Sequence, residues 1–153
     1  MAIDPTKVYP LPKFHFQVDW GGTRLGFTKI TGLQAATEVI EYREGINVRY
    51  GSSKQPGRTV YGNIILERGV FKGDFEFFQW WQNTFDFQEV NAKYRRDITI
   101  KLLDELHQPV LVWSVLNAWP CRVKWSELNA LESSVLMEEL EITHEGLSLL
   151  SLP

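Results

Sequence analysis

The chain has 153 residues, 44% of them hydrophobic and 23% charged, which predicts one globular domain over residues 1–153 with a real core. A net charge of -3 argues against a generally basic nucleic-acid binder, and a single cysteine, Cys121, excludes an intrachain disulfide scaffold. MAIDPTKVYPLPKF lacks the apolar segment of a signal peptide, and no apolar run approaches the roughly 20 residues that cross a bilayer, so synthesis in a cytoplasm without ordinary secretion is expected.

Residues 1–12 carry Pro5, Pro10 and Pro12 and read as an extended N-terminal arm. His15–Trp20 alternates, with Phe14, Phe16 and Val18 on one face, as a half-buried strand does. Gly21-Gly22 then offers a tight turn to a second strand, Thr23–Ile30, so these two are expected to form a hairpin. Thr37–Gly69 reads as a long hairpin arm. Its β-like runs, Thr37–Arg43 and Arg58–Leu66, flank a loop rich in Gly, Ser and Pro. Neither face of the first run is cleanly apolar, and such a strand needs a partner to set its register.

Asp74 is a good N-cap for the one convincing helix, from about Phe75 to Asn83. Eight of the twenty aromatic residues lie between Phe71 and Phe87. Phe75, Phe78, Trp81, Gln82 and Phe85 share one face, and Phe77 and Trp80 point to the other. Asp97–Leu103 and Val110–Leu116 read as strands joined by the turn Asp104–Pro109, and Asn117–Pro120 as a corner. Cys121, Val123 and Trp125 alternate on a further strand, with Cys121 as a small buried hydrophobe. Ser134–His144 is the last strand, with Glu139 and Glu141 on the face away from Leu140 and Ile142. Gly146 ends it before the apolar tail Leu147–Leu152. The sum is mainly β with one helix (α+β): an antiparallel β-sandwich or barrel with a long hairpin arm and a packed aromatic helix.

No catalytic, cofactor or metal constellation emerges. His15, His107 and His144 are far apart, no Gly-rich phosphate loop precedes a helix, and no nucleophile elbow is present. One stretch admits a second reading. Arg43, Arg49, Lys54 and Arg58 lie among Tyr42, Tyr50 and Tyr61, a pattern that suits single-stranded nucleic acid. An enzyme subunit with a site shared between chains is a third, though the sequence offers it no convergent titratable residues.

Landmarks in order then carry a resemblance: FTKITGL (Phe27–Leu33), IEYREG (Ile40–Gly45), KxPG (Lys54–Gly57), IxLERG (Ile64–Gly69), Trp80-Trp81, IxLLD (Ile100–Asp104), NAWP (Asn117–Pro120) and HEGL (His144–Leu147). Together they resemble the tail tube protein family of contractile injection systems, which includes T4-type phage tail tubes and R-type pyocin tubes. They are most similar to tube subunits of the antifeeding-prophage and Photorhabdus virulence-cassette type. Main shaft subunits and baseplate-proximal tube-like subunits both carry such motifs, in phage tails and in bacterial particles alike.

The resemblance implies a structural, non-enzymatic protein without cofactor. Six copies would form a ring, and rings would stack into a hollow tube whose wall is one continuous β-barrel. Partners would be other copies, a sheath, baseplate and cap or terminator proteins, and protein cargo in the lumen, with no stable membrane insertion. The particle would assemble in a bacterial cytoplasm and be released. Tyr42, Arg43, Glu44, Tyr50, Lys54, Pro56, Arg58 and Arg68 would contact neighbouring copies, with the Lys54–Gly57 loop at the arm's tip. Glu38, Glu41, Glu139 and Glu141 would face a lumen of like charge that repels acidic cargo. Phe77 and Trp80 would lie on the helix's outer face against the sheath.

Overall fold

The computed structural model describes residues 9–46, 51–85 and 94–151. Among them are nine strands and one helix: β1 Phe16–Asp19, β2 Lys29–Thr31, β3 Ala35–Tyr42, β4 Ser53–Tyr61, β5 Ile64–Gly69, α1 Glu76–Asn83, β6 Arg96–Leu103, β7 Pro109–Trp125, β8 Met137–Thr143 and β9 Gly146–Ser151. All ladders are antiparallel. The mainly-β architecture with a single helix is therefore as expected. Among the described residues the sheets form a sandwich and are not closed into a barrel.

β7 is the spine. Its first part pairs with β6 on one side and β9 on the other, with β1 outside β6. Its last part, Trp119–Trp125, pairs with β8, and β5 and β2 follow. The strand changes sheets at the expected corner. Asn117 takes a left-handed backbone (φ 51°), and Asp97 Oδ1 accepts its amide at 3.1 Å. The β6–β7 turn is also as read. Asp104 Oδ1 accepts the amides of Leu106 and Gln108 at 2.8 and 2.9 Å, which folds the turn locally.

Between the two sheets lie Val18, Ile98, Ile100 and Val115 from one side and Ile64, Leu66, Leu140 and Ile142 from the other, all buried. Each such side chain contributes about 1.5–3 kcal/mol by leaving water. Helix α1 closes one end. Phe77 and Trp80 are buried there against Trp20, with ring centroids 5.0 and 5.9 Å away. The two indole donors are satisfied: Trp80 Nε1 donates to Tyr94 O at 2.6 Å and Trp20 Nε1 to Arg24 O at 2.8 Å. The expected outer placement of Phe77 and Trp80 is therefore corrected. The helix and its flanking residues present Phe75, Phe78 and Phe85 to solvent instead. Both faces are aromatic, so periodicity could not say which one turned inward.

A charged node fastens the start of α1 to the sheet. Arg68 is buried, so its expected place at a contact between copies is also corrected. Its Nε donates to Glu138 Oε1 at 2.7 Å, and its Nη2 lies 3.2 Å from Asp74 Oδ1. The guanidinium stacks 4.0 Å from the Phe77 ring centroid. Asp74 is not the N-cap, which is Phe75, but its Oδ1 accepts the Glu76 amide at 3.2 Å. Arg24 Nε lies 3.2 Å from Asp74 Oδ2 without hydrogen-bond alignment, and Arg68 Nη1 finds no partner among the described residues. The node is thus a buried ion cluster with two unsatisfied atoms. Glu76 in turn accepts the Thr23 amide at 3.1–3.2 Å, which docks the loop after β1 onto the helix.

Three further expectations fail for reasons of long-range pairing. β1 does not form a hairpin with the next run. It pairs with β6, and β2 pairs with β5. Gly22 serves a different purpose from the one expected: a Cβ there would sit 2.1 Å from the Trp20 ring. The arm is shorter than Thr37–Gly69, because β4 stops at Tyr61 and β5 leaves to join the body between β8 and β2. The apolar tail after Gly146, not read as a strand, forms β9 along β7.

Candidate interaction surfaces

Two surfaces stand apart from the core. The first is the β3–β4 hairpin, a separate two-stranded sheet. Every residue of β3 is exposed, and β4 is nearly so. Val39 (62% exposed), Ile40 (51%), Tyr42 (58%) and Val60 (47%) spread apolar area over both faces. A monomer gains nothing by keeping them in water, and exposed apolar area of this kind is a feature of interaction surfaces.

Lys54, Pro56 and Arg58 lie within β4 and not at the tip, which corrects the expected loop. Thr37 pairs with Thr59 and Val39 with Pro56, so Gly57 and Arg58 together oppose Glu38 in a bulge. Pro56 lacks a donor, and a Cβ on Gly57 would come within 3.0 Å of Glu38 O; a bulge tolerates both. Arg43 and Glu44 are exposed toward the tip, with the Tyr42 hydroxyl 3.0 Å from Glu44 Oε1. Tyr50 and Arg49 fall outside the described residues. Two of the arm's cations meet its own carboxylates: Arg58 Nε to Glu38 Oε2 at 3.4 Å, and Lys54 Nζ to Glu41 Oε1 at 3.9 Å.

The second surface is the outer face of the β7–β8–β5–β2 sheet. Glu139 and Glu141 lie on it, half-buried, opposite the core-facing Glu138, Leu140 and Ile142. Register aligns Lys29, Glu67, Glu139 and Lys124 in one row across four strands, and Thr31, Ile65, Glu141 and Arg122 in the next. Arg122 Nη2 is 3.4 Å from Glu141 Oε1. Like charges directly opposite each other repel, and here the one facing carboxylate pair of these rows, Glu67 and Glu139, is flanked by Lys29 and Lys124. The expected like-charge face is in fact charge-balanced. Glu67, Lys29, Arg122 and Lys124 were missed by sequence reasoning, although Glu67 alternates with Leu66 and Ile64 in a way that could have found it.

Cys121 is on this side too, not buried as expected. Pro120 pairs with Ile142 and Arg122 with Glu141, so Cys121 is the extra residue of a bulge and the alternation changes phase there. Its Sγ lies 3.4 Å from Glu141 O and 3.5 Å from Glu141 Oε2. Partial burial, then the Glu141 carboxylate, push the thiol above its ordinary pKa. At the other end of β8, hydrogen bonds from Asn117 and Arg95 hold the Glu145 carboxyl below its ordinary value.

The family model described as T4-like virus tail tube protein gp19 matches residues 12–148. The chain belongs to this tail tube family. Among solved structures it is similar to a chain of the extended sheath–tube complex of an extracellular contractile injection system, PVC. That match has 26% identity and a TM-score of 0.83 over 99% of this chain and 100% of the other. A chain from the anti-feeding prophage cap, the tube-terminating cap, matches with 26% identity and a TM-score of 0.83 over 99% and 95%. Hcp1 from Flavobacterium johnsoniae shares the fold at 18% identity and a TM-score of 0.53, over 88% and 93%. No curated protein matches. As the family resemblance implied, the chain is a tail tube subunit of the contractile-injection type, and the nucleic-acid alternative gains no support from these comparisons.

Proposed function

We propose that six copies of this chain close into a ring, and that rings stack into a hollow tube through which protein cargo passes when an outer sheath contracts. The observation that carries this reading is the β3–β4 arm, exposed along all of β3 with large apolar side chains on both faces. A second copy supplies the cover it lacks, and a ring of such contacts closes laterally while stacking stays open. Tyr42, Arg43, Glu44, Lys54, Pro56 and Arg58 then lie at contacts between copies. Cross-strand pairs such as Arg58–Glu38 sit at the rim of those contacts.

The row-ordered charged face, with Glu139 and Glu141, lines the lumen. Its cations offset its carboxylates, so cargo slides past without strong attraction or repulsion of either sign, and salt alters this little. Exposed Phe78 on the helix and Phe85 just after it meet the sheath. The role is mechanical, with sheath, baseplate and cap as partners, in a particle assembled inside the producing cell and released from it. The PVC and anti-feeding prophage similarities favour that setting.

Electron microscopy of the purified chain beside size-exclusion chromatography tests this reading. Rings of six or hollow filaments are expected from the natural sequence, and Val39→Lys or Ile40→Lys abolishes them while the monomer stays folded. A chain that remains monomeric even with its sheath and baseplate present overturns it.

A further inference from the structure

The arm joins the body through two short connections, Gly32–Gln34 between β2 and β3 and Gly62-Asn63 between β4 and β5. His144 stands beside that junction, in the turn between β8 and β9. Its Nε2 lies 3.0 Å from Gly62 O and its Nδ1 3.1 Å from Gly146 O. Both partners are backbone carbonyls, which only accept, so a neutral ring bonds one of them and a charged ring bonds both. The ring also packs against Tyr61, the last residue of β4, with centroids 5.5 Å apart. The turn that carries it is itself anchored to the body. Glu145 N donates to Leu116 O at 2.9 Å, and Glu145 is held by Arg95 and Asn117. Space at the root is tight, since a Cβ on Gly62 would meet the Gln34 side chain at 2.4 Å.

We propose that His144 is a positioning residue: by pinning the Gly62 carbonyl to the β8–β9 turn it sets the angle of the arm to the body, and so the register in which the arm meets a second copy of this chain. This rests on the proposed role of the arm. Leverage makes the angle matter. β4 has nine residues, about 30 Å at roughly 3.3 Å each. A rotation of about 10° at the root moves the tip by about 5 Å, which is one strand spacing. Both connections are short and contain a glycine, Gly32 or Gly62, so the backbone at the root is permissive and contacts across it, such as that of His144, help to set the angle.

The test is a distance distribution between spin labels on Lys54→Cys in the arm and Glu105→Cys in the β6–β7 turn, in a Cys121→Ser background. It is read on the dilute full-length chain beside assembly of the unlabelled chain. His144→Phe keeps a ring against Tyr61 but removes both nitrogens. It is expected to widen the distribution at least two-fold and to lower the yield of rings or tubes at least ten-fold, with the body's melting intact. His144→Gln, the milder variant, serves if Phe does not fold. A distribution as narrow as that of the natural residue, or undiminished assembly, overturns the proposal. Val39→Lys separates the two ideas. It is expected to block assembly with the distribution unchanged, and normal assembly of that variant instead sinks the role given to the arm.

Discussion

Glu138→Leu puts the charged node under α1 to a quantitative test. The Arg68 and Glu138 side chains are 2% and 6% exposed and meet at 2.7 Å. Removing one member of a buried pair leaves the other charge without compensation and costs about 3–5 kcal/mol. Arg68 keeps Asp74 at 3.2 Å, which favours the lower end, about 3 kcal/mol. For a chain of this length that corresponds to a drop of roughly 10 °C in melting temperature. Arg68→Met together with Glu138→Leu replaces both ions by apolar groups, and Asp74 retains Arg24. The double variant is therefore expected to be more stable than either single one. Urea unfolding of dilute monomer followed by tryptophan fluorescence is a suitable assay, because the Arg68 guanidinium lies 5.3 Å from the Trp20 ring centroid. A loss below about 1 kcal/mol for Glu138→Leu refutes the reasoning. So does a double variant less stable than both singles.

Two other perturbations separate interior from surface. Phe77→Ala or Trp80→Ala is expected to cost about 3–5 kcal/mol in urea unfolding, whereas exposed Phe85→Ala changes stability by about 0.5 kcal/mol or less; equal losses at the three sites would contradict the assignment of helix faces. Cys121, with its thiol held above the ordinary pKa, alkylates more slowly at pH 8 than a free thiol and speeds up as pH rises, because only the thiolate reacts. Glu141→Gln removes a carboxylate that disfavours the thiolate and is expected to accelerate the reaction at pH 8; an unchanged rate means that burial alone sets the shift. In assembled tubes a small maleimide should still reach Cys121, while one too bulky for the lumen should not. Equal labelling by both puts the charged face on the outside.

Local chemistry made part of this protein legible before any coordinates. The β6–β7 hairpin could be read because Asp104 folds its own turn. The alternation along β8 showed which way Leu140 and Ile142 face, since a strand's period is two wherever it pairs. The order of eight short motifs pointed to the family, and the matching family model spans the same region. The polar, two-faced character of the arm's first strand already announced its exposure.

Other features were settled only by partners distant in sequence. β1 lies beside β6, 80 residues away in places, because closing the core outweighed the short loop to β2. Arg68 looked like a surface residue until Glu138 and Asp74 gathered around it, and no local pattern encodes a contact across 70 positions. The buried face of α1 was decided by where Trp20 stood, since aromatic residues on both sides made the helix's own periodicity silent. A one-residue bulge at Cys121 reversed the exposure of that strand. Alternation is a local property, whereas the register that anchors it belongs to the neighbouring strand.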